Sequence, residues 1–158
     1  MTRTHDGGCA CGAIRYRLGS EPIFVHCCHC TDCQRLSGTA FAINALIEMN
    51  RVHVVSGKPR PQVVPTDTGR TQSVLRCEDC GVALWSHHPD LGPRIAIIFV
   101  GTLDDARAFP PAAHCFTRSK HPWVALPANI PAAEAHYDSE VCWPPEGRRR
   151  MAAALGEA

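Results

Sequence analysis

The eight residues HCCHCTDC, at positions 26–33, contain four cysteines and two histidines. Neighbouring residues on a strand point to opposite faces, so Cys27 and Cys28 are not expected to bind the same metal ion. Cys28 and Cys30 can point the same way, and Cys33 follows at the start of a short helix, where the helix dipole favours a thiolate. The pattern therefore predicts a metal half-site made of Cys28, Cys30 and Cys33, with Cys27 and His29 facing away from it.

The number of ligands decides what such a site can do. Three protein ligands leave the fourth position of a zinc ion open to water or substrate, as in catalytic zinc sites. A histidine could instead close the site and make it structural: His26 has the right strand parity, and His114 or His121 could reach it from further along the chain. The spacing slightly favours the open site.

The helix that begins inside this stretch is predicted from its two ends. Thr31 and Gln34 have the spacing of a Thr-x-x-Gln capping box, and Gly38 can end the helix in a left-handed conformation. Few other helix signals are present, so we expect one or two short helices in the whole chain.

Two other cysteine pairs, CACG at 9–12 and CEDCG at 77–81, have the form of metal-binding knuckles. A knuckle needs both sulfurs on one side of a sharp turn, and the glycine after the second cysteine lets that turn close. Cys9, Cys11, Cys77 and Cys80 together would supply the four thiolates of a structural zinc site. Such a site would join two distant parts of the chain.

Strand signals dominate the rest of the sequence up to about residue 127. Alternation predicts strands at 13–18, with Ile14, Tyr16 and Leu18 on one face, and at 41–47. Shorter candidates lie at 51–55 and 73–76. Residues 95–100, IAIIFV, are apolar on both faces and are predicted to form the central buried strand. The fold class is therefore mostly β.

Composition excludes several kinds of partner. The formal net charge is +1, from 16 basic and 15 acidic residues, so no overall field attracts nucleic acid or anionic lipid. No apolar stretch is long enough to span a membrane, and residues 1–6 lack the apolar core of a signal peptide. We therefore expect a cytoplasmic protein without membrane or nucleic-acid partners, whose ten cysteines are metal ligands or thiols rather than disulfides.

Four motifs in order resemble the glutathione-dependent formaldehyde-activating enzyme family, which also includes centromere protein V. They are GGCACGAIRY (7–16), CHCTDCQRLSG (28–38), LRCEDCGVALW (75–85) and HCFTRSKHPWVALP (114–127). The likeness covers roughly residues 5–145, taken as one domain, and residues 146–158 are predicted to be a flexible C-terminal tail. The resemblance implies a β-tent fold of antiparallel strands with two zinc ions per chain. It implies Cys9, Cys11, Cys77 and Cys80 on a structural ion, and Cys28, Cys30 and Cys33 on a catalytic, more labile one.

The resemblance also implies a carbon–sulfur lyase that joins formaldehyde to glutathione as S-hydroxymethylglutathione and reverses the reaction. Zinc would deprotonate a substrate thiol at neutral pH, and the resulting negative charge favours cations nearby. Arg35, Arg118 and Lys120 are the candidate cations, and His114 is the candidate proton shuttle. The expected partners are an aldehyde and a small-molecule thiol such as glutathione. The sequence does not decide whether the chain forms a homodimer.

Two alternatives remain at this point. The chain could be a zinc-scaffold binding module without catalysis. It could also resemble methionine sulfoxide reductases, which would need Cys115 as a free nucleophile. Cys115 and Cys142 are otherwise most simply read as core residues.

Overall fold

The computed structural model describes residues 3–157. The strands are β1 His5–Gly8, β2 Arg15–Leu18, β3 Phe24–Cys28, β4 Ala42–Glu48, β5 Val52–Ser56, β6 Arg60–Pro65, β7 Thr71–Arg76, β8 Ala83–His87, β9 Ile95–Phe99 and β10 His114–Cys115. The helices are α1 Thr31–Ser37, α2 Ser139–Cys142 and α3 Pro145–Leu155. None of the helices within residues 3–157 is long and apolar enough to cross a membrane.

The strands form two sheets. A three-stranded sheet has the order β1-β2-β5, and a seven-stranded sheet has the order β10-β3-β4-β9-β8-β7-β6. All strand pairs are antiparallel except β10 with β3, which is parallel. The prediction of a mostly β fold built on antiparallel strands is confirmed.

The core has two parts: one joins residues of both sheets, and the other joins the large sheet to the C-terminal segment. Ile14, Tyr16 and Leu18 are buried together, as their alternation predicts. β9 lies inside the large sheet, between β4 and β8, and its Ile95, Ala96 and Ile98 are fully buried. A strand with neighbours on both sides and covered faces must be apolar throughout, which confirms the prediction of a central strand at 95–100.

The last strand of the large sheet, β6, contains two prolines, Pro61 and Pro65. Prolines usually lie outside the central strands of a sheet. A proline cannot donate a backbone hydrogen bond to a ladder, but an edge strand has one side without a partner strand. The position of β6 at the end of the strand order explains why it tolerates both prolines.

The C-terminal segment corrects the expectation of a flexible tail over residues 146–158. Residues 145–155 form helix α3, which begins with Pro145 and ends at Gly156 in the left-handed conformation. Met151 is buried against the core, and Arg150 pairs with the buried carboxylate of Glu48. Gly147 fits so closely that a Cβ there would lie 2.8 Å from the carbonyl oxygen of Ile23. These contacts attach the segment to β4 and to Ile23, the residue before β3.

The two-residue strand β10 extends the large sheet beyond β3. His114 lies opposite Cys27, and Cys115 lies opposite Cys28. Because side chains alternate along both strands, each of these pairs presents its side chains to one face of the sheet. Cys27, Cys28, His114 and Cys115 therefore lie together at this edge of the sheet.

Candidate metal centres

Four cysteines from the two predicted knuckles converge. Their sulfurs all lie within 4.8 Å of one another, with 3.5 Å between Cys9 and Cys11 and 3.7 Å between Cys11 and Cys77. Each knuckle is closed by a glycine with positive φ, +79° at Gly12 and +73° at Gly81. The turns therefore have the conformation that the sequence predicts, and the sulfurs of both pairs face each other.

This four-cysteine cluster fits a zinc ion. Four sulfurs at about 2.3 Å from a tetrahedral zinc stand about 3.8 Å apart, close to the separations found here. Backbone N–H groups point at the sulfurs as well: Ile14 N–H donates to Cys9 Sγ at 3.2 Å. The backbone N–H groups of Val82 and Cys11 lower the pKa of Cys80 to about 6, which favours the thiolate that a metal needs.

A second cluster, which we call the trio, consists of Cys28, Cys30 and Cys33. Their sulfurs also lie within 4.8 Å of one another. Cys28 is buried at the end of β3, whereas Cys30 and Cys33 are half-buried at the start of α1. Among the His, Cys, Asp and Glu side chains of residues 3–157, no fourth one shares this spacing with all three. The fourth position of a tetrahedral ion bound to the trio would therefore be left to a ligand other than these side chains.

The start of α1 differs from the predicted capping box. Cys30 is the N-cap, and its sulfur accepts the N–H of Cys33 at 3.3 Å. Thr31 is already the first helical residue, and the Gln34 side chain donates to the carbonyl oxygens of His29 and Ser119 at 2.8 and 2.9 Å. The predicted end is found at Gly38, which has φ +67°. The helix thus begins on a candidate metal ligand rather than on a conventional cap.

The three thiols cannot all ionise together without a cation. Hydrogen bonds from the Cys28 and Cys33 thiols, with the backbone N–H groups of Cys33 and Asp32, hold the pKa of Cys30 well below its ordinary value. Contacts with Cys115 and Cys30 raise the pKa of Cys28, and contacts with Cys28 and Cys30 raise the pKa of Cys33. One sulfur therefore carries the charge, and three thiolates require a positive ion among them.

His26, the candidate for closing the site, is held by other partners. Its Nδ1 lies 2.6 Å from the hydroxyl oxygen of Tyr137, and its Nε2 lies 3.5 Å from Nδ2 of Asn44. Burial lowers the pKa of His26 to about 3, so the ring is neutral. Asn44 also donates to Cys33 Sγ at 3.7 Å, which links this hydrogen-bonded group to the trio.

Two residues beside the trio, Asn44 and Tyr137, were not identified from the sequence. Asn44 lies in β4, opposite His26, and an asparagine flanked by apolar residues on both sides is the signal that could have indicated it. Tyr137 lies in a segment without periodic pattern, so no sequence signal places it there. Cys115, expected to be a core residue, is 1% exposed and contacts Cys28.

A third cluster lies on the other side of β3 and consists of Cys27, His29 and His114. The Cys27 sulfur is 3.6 Å from Nε2 of His29, which is 3.0 Å from Nδ1 of His114. All three side chains are buried, and burial lowers the pKa of both histidines. His114, the candidate proton shuttle, is therefore placed in this cluster rather than in the trio.

The three candidate cations lie in different surroundings. Arg35 is exposed on α1, and the Arg118 guanidinium lies over the Phe116 ring, 5.6 Å from its centre. Lys120 is half-buried and donates to the carbonyl oxygens of His121 and Val124 at 3.0 and 2.7 Å. Its charge contributes to the lowered pKa of His29, after burial and the neighbouring His114.

Fold and clusters together define a small, mostly β protein with cysteine-rich sites compatible with zinc. The family model described as glutathione-dependent formaldehyde-activating enzyme matches residues 4–119, more than two thirds of the chain. The chain belongs to this family.

The chain is similar to several known proteins. A Halomonas elongata protein, provisionally named as a glutathione-dependent formaldehyde-activating enzyme, is 29% identical over 127 residues, covering 77% of this chain and 80% of its own length. A Penicillium rubens protein with the same provisional name is 31% identical over 88 residues, which is 53% of this chain and 45% of that protein. A crystal structure of a Rhodobacter sphaeroides protein is similar at a TM-score of 0.49 and 22% identity, covering 63% of this chain and 88% of that one.

Proposed function

We propose that the chain is a zinc-dependent carbon–sulfur lyase that joins a small thiol of the glutathione type to formaldehyde and cleaves the adduct. The observation that carries the proposal is the trio: three cysteine sulfurs within 4.8 Å of one another, two of them half-buried. The family assignment and the names of its relatives give the substrate class.

Two zinc ions per chain are proposed, with different roles. Cys9, Cys11, Cys77 and Cys80 would hold the first one with a complete set of four thiolates, as structural zinc sites do. Cys28, Cys30 and Cys33 would hold the second. Zinc bound to the trio would lower the pKa of a substrate thiol, so that a thiolate is available to attack the aldehyde carbon at neutral pH.

The residues of the chain contribute by position. Cys30 and Cys33 are fixed by the first turn of α1, where backbone N–H groups stabilise negative sulfur. Asn44 fixes the orientation of Cys33 through its side-chain amide. As the carbon–sulfur bond forms, the carbonyl oxygen must gain a proton. Cys30 and Cys33 are only half-buried, so solvent can supply this proton, whereas the predicted shuttle His114 is buried in the third cluster on the other side of β3.

Arg35 and Lys120 are proposed as cations that offset the negative charge of a four-thiolate state. An exposed cation acts weakly through water, whereas a half-buried one acts more strongly. We therefore expect Lys120→Ala to reduce the rate more than Arg35→Ala does.

The test must separate catalysis from the spontaneous reaction, which is fast. Exchange of label between free and glutathione-bound formaldehyde is measured by NMR at equilibrium, together with zinc per chain. The wild type is expected to exceed the uncatalysed exchange rate, and Cys30→Ser is expected to lose one zinc and to fall to that rate. Cys142→Ser, a half-buried cysteine outside the three clusters, is the matched control and should keep both properties.

A wild type that holds both zinc ions yet does not accelerate the exchange would refute the proposal and favour the binding module. Cys115 is buried, which leaves the reductase alternative without an accessible nucleophile.

A further inference from the structure

We infer that Cys27, His29 and His114 form a third metal site, which binds a zinc ion through one thiolate and two imidazoles. These residues lie outside both cysteine clusters described above. The site would exist whether or not the trio turns over a substrate.

Two of the separations between the donor atoms are close to those around a tetrahedral zinc ion. With zinc at about 2.3 Å from sulfur and about 2.05 Å from nitrogen, sulfur and nitrogen stand about 3.5 Å apart and two nitrogens about 3.3 Å apart. The corresponding separations are 3.6 Å from Cys27 Sγ to His29 Nε2 and 3.0 Å from His29 Nε2 to His114 Nδ1. The donor atoms of Cys27 and His114 also lie within 4.8 Å of each other, so all three can approach one ion.

The fold holds these donors rigidly. Cys27 lies in β3, and His114 lies directly opposite it in β10. His29 follows one residue after β3, and its backbone N–H donates to the Cys115 carbonyl at 3.0 Å. The His29 ring is fully buried and packs on Phe41. Donors fixed by backbone hydrogen bonds and packing need little rearrangement to bind an ion.

The chemistry of the donor set selects the metal. The cluster offers one cysteine sulfur and two imidazole nitrogens, and imidazole is the commonest metal ligand among protein side chains. One thiolate with two imidazoles is a set that suits zinc, whereas calcium and magnesium require oxygen ligands. Binding would release the Cys27 proton and leave the site with a charge of +1.

The surroundings of the rings predict the relative affinity. Ligation through His29 Nε2 and His114 Nδ1 places the ring protons on the other nitrogens, and neither of these has a hydrogen-bond partner among residues 3–157. Such second partners of ligating histidines typically change metal affinity by about 10- to 100-fold. The third site should therefore bind zinc more weakly than the four-cysteine cluster and release it first to a chelator.

Metal content of the full chain tests this site. Protein loaded with excess zinc and desalted is expected to hold three zinc ions per chain. Cys27→Ala should hold two, Cys30→Ser two and the double variant one, whereas the control Cys142→Ala should hold three. The two cysteine clusters provide only sulfur, so X-ray absorption at the zinc edge should show imidazole scattering in the wild type that disappears in Cys27→Ala.

The zinc lost in Cys27→Ala reports on this site alone. If instead the trio binds no zinc, Cys30→Ser will have the same zinc content as the wild type. Equal zinc content in wild type and Cys27→Ala would overturn the inference. If Cys27→Ala does not fold, the wild-type spectrum decides, because zinc without imidazole scattering would equally overturn it.

Discussion

Replacement of Arg150 by methionine tests how firmly helix α3 is attached to the domain. Arg150 Nε donates to Oε1 of Glu48 at 2.8 Å and Nη2 donates to Oε2 at 2.5 Å, a paired arrangement typical of strong arginine–carboxylate bonds. It also donates to the Glu21 carbonyl at 3.0 Å and to the Ser20 hydroxyl at 3.3 Å. Methionine keeps much of the length of the side chain and removes the charge.

The expected loss in the free energy of unfolding follows from the burial of Glu48, which is 8% exposed. Removing one partner of a buried ion pair costs about 3–5 kcal/mol, because the other charge stays buried without compensation. Arg51 remains 3.4 Å from the Glu48 carboxylate and offsets part of this cost. We therefore expect the free energy of unfolding to fall by about 2–3 kcal/mol, an estimate scaled down from that range. This corresponds to a melting temperature lower by about 5–10 °C for a chain of this size.

The effect should depend on pH. Burial alone would raise the pKa of Glu48, but the hydrogen bonds and charge of Arg150 outweigh it, and the pKa is lowered. A carboxyl with a lowered pKa stabilises the folded state above its unfolded pKa, and this stabilisation is lost as the pH falls through the folded pKa. The difference between wild type and Arg150→Met should be full at neutral pH and shrink below about pH 4.

Urea unfolding followed by tryptophan fluorescence, at equal zinc content, gives the two free energies. Arg149→Met is the matched control, since Arg149 is exposed on the same helix, and it should change stability by less than about 0.5 kcal/mol. Adding Glu48→Gln to Arg150→Met should recover part of the loss. If Arg150→Met were as stable as the control variant, the attachment of α3 through this pair would be refuted.

Three further predictions concern the knuckle, the core and the trio. Gly81→Ala forces a side chain into φ +73° and should cost about 1 kcal/mol and speed the loss of one zinc to a chelator, measured by dye competition. Ile98→Ala removes a fully buried side chain of the central strand and should cost about 2–5 kcal/mol in urea unfolding. Tyr137→Phe leaves Nδ1 of the buried His26 without its partner and should cost about 1–3 kcal/mol, with the His26 ring shifted in NMR spectra.

Alternation and turn chemistry made much of the fold predictable. Strand β2 has one buried face and β9 has two. Both strands could be predicted from their apolar pattern, because burial determines which positions are apolar. The knuckle turns follow from glycines at positions that need positive φ. These features depend on residues that are neighbours in the sequence, so local sequence patterns are enough to predict them.

The features that were missed depend on distant partners. The first half of helix α3 is mostly polar or charged, and the position of the helix is set by the Glu48 carboxylate and by the close approach of Gly147 to Ile23. Helix α1 is capped by Cys30 and not by the predicted Thr31–Gln34 box, because the Gln34 side chain donates to the Ser119 carbonyl instead. Neither contact has a signal in the sequence nearby.

The parallel register of β10 on β3 determines which β10 side chain lies beside the trio and which lies in the third cluster. His114 and Cys115 face opposite sides, so a slip of one residue would exchange them and bring a histidine to the side of the trio. The register is fixed from both sides of β10. The Cys27 N–H donates to the Ala113 carbonyl at 2.9 Å, and on the far side the Ala133 N–H donates to the His114 carbonyl at 3.0 Å. A strand of only two residues can thus separate the third cluster from the trio, because its backbone is paired on both edges.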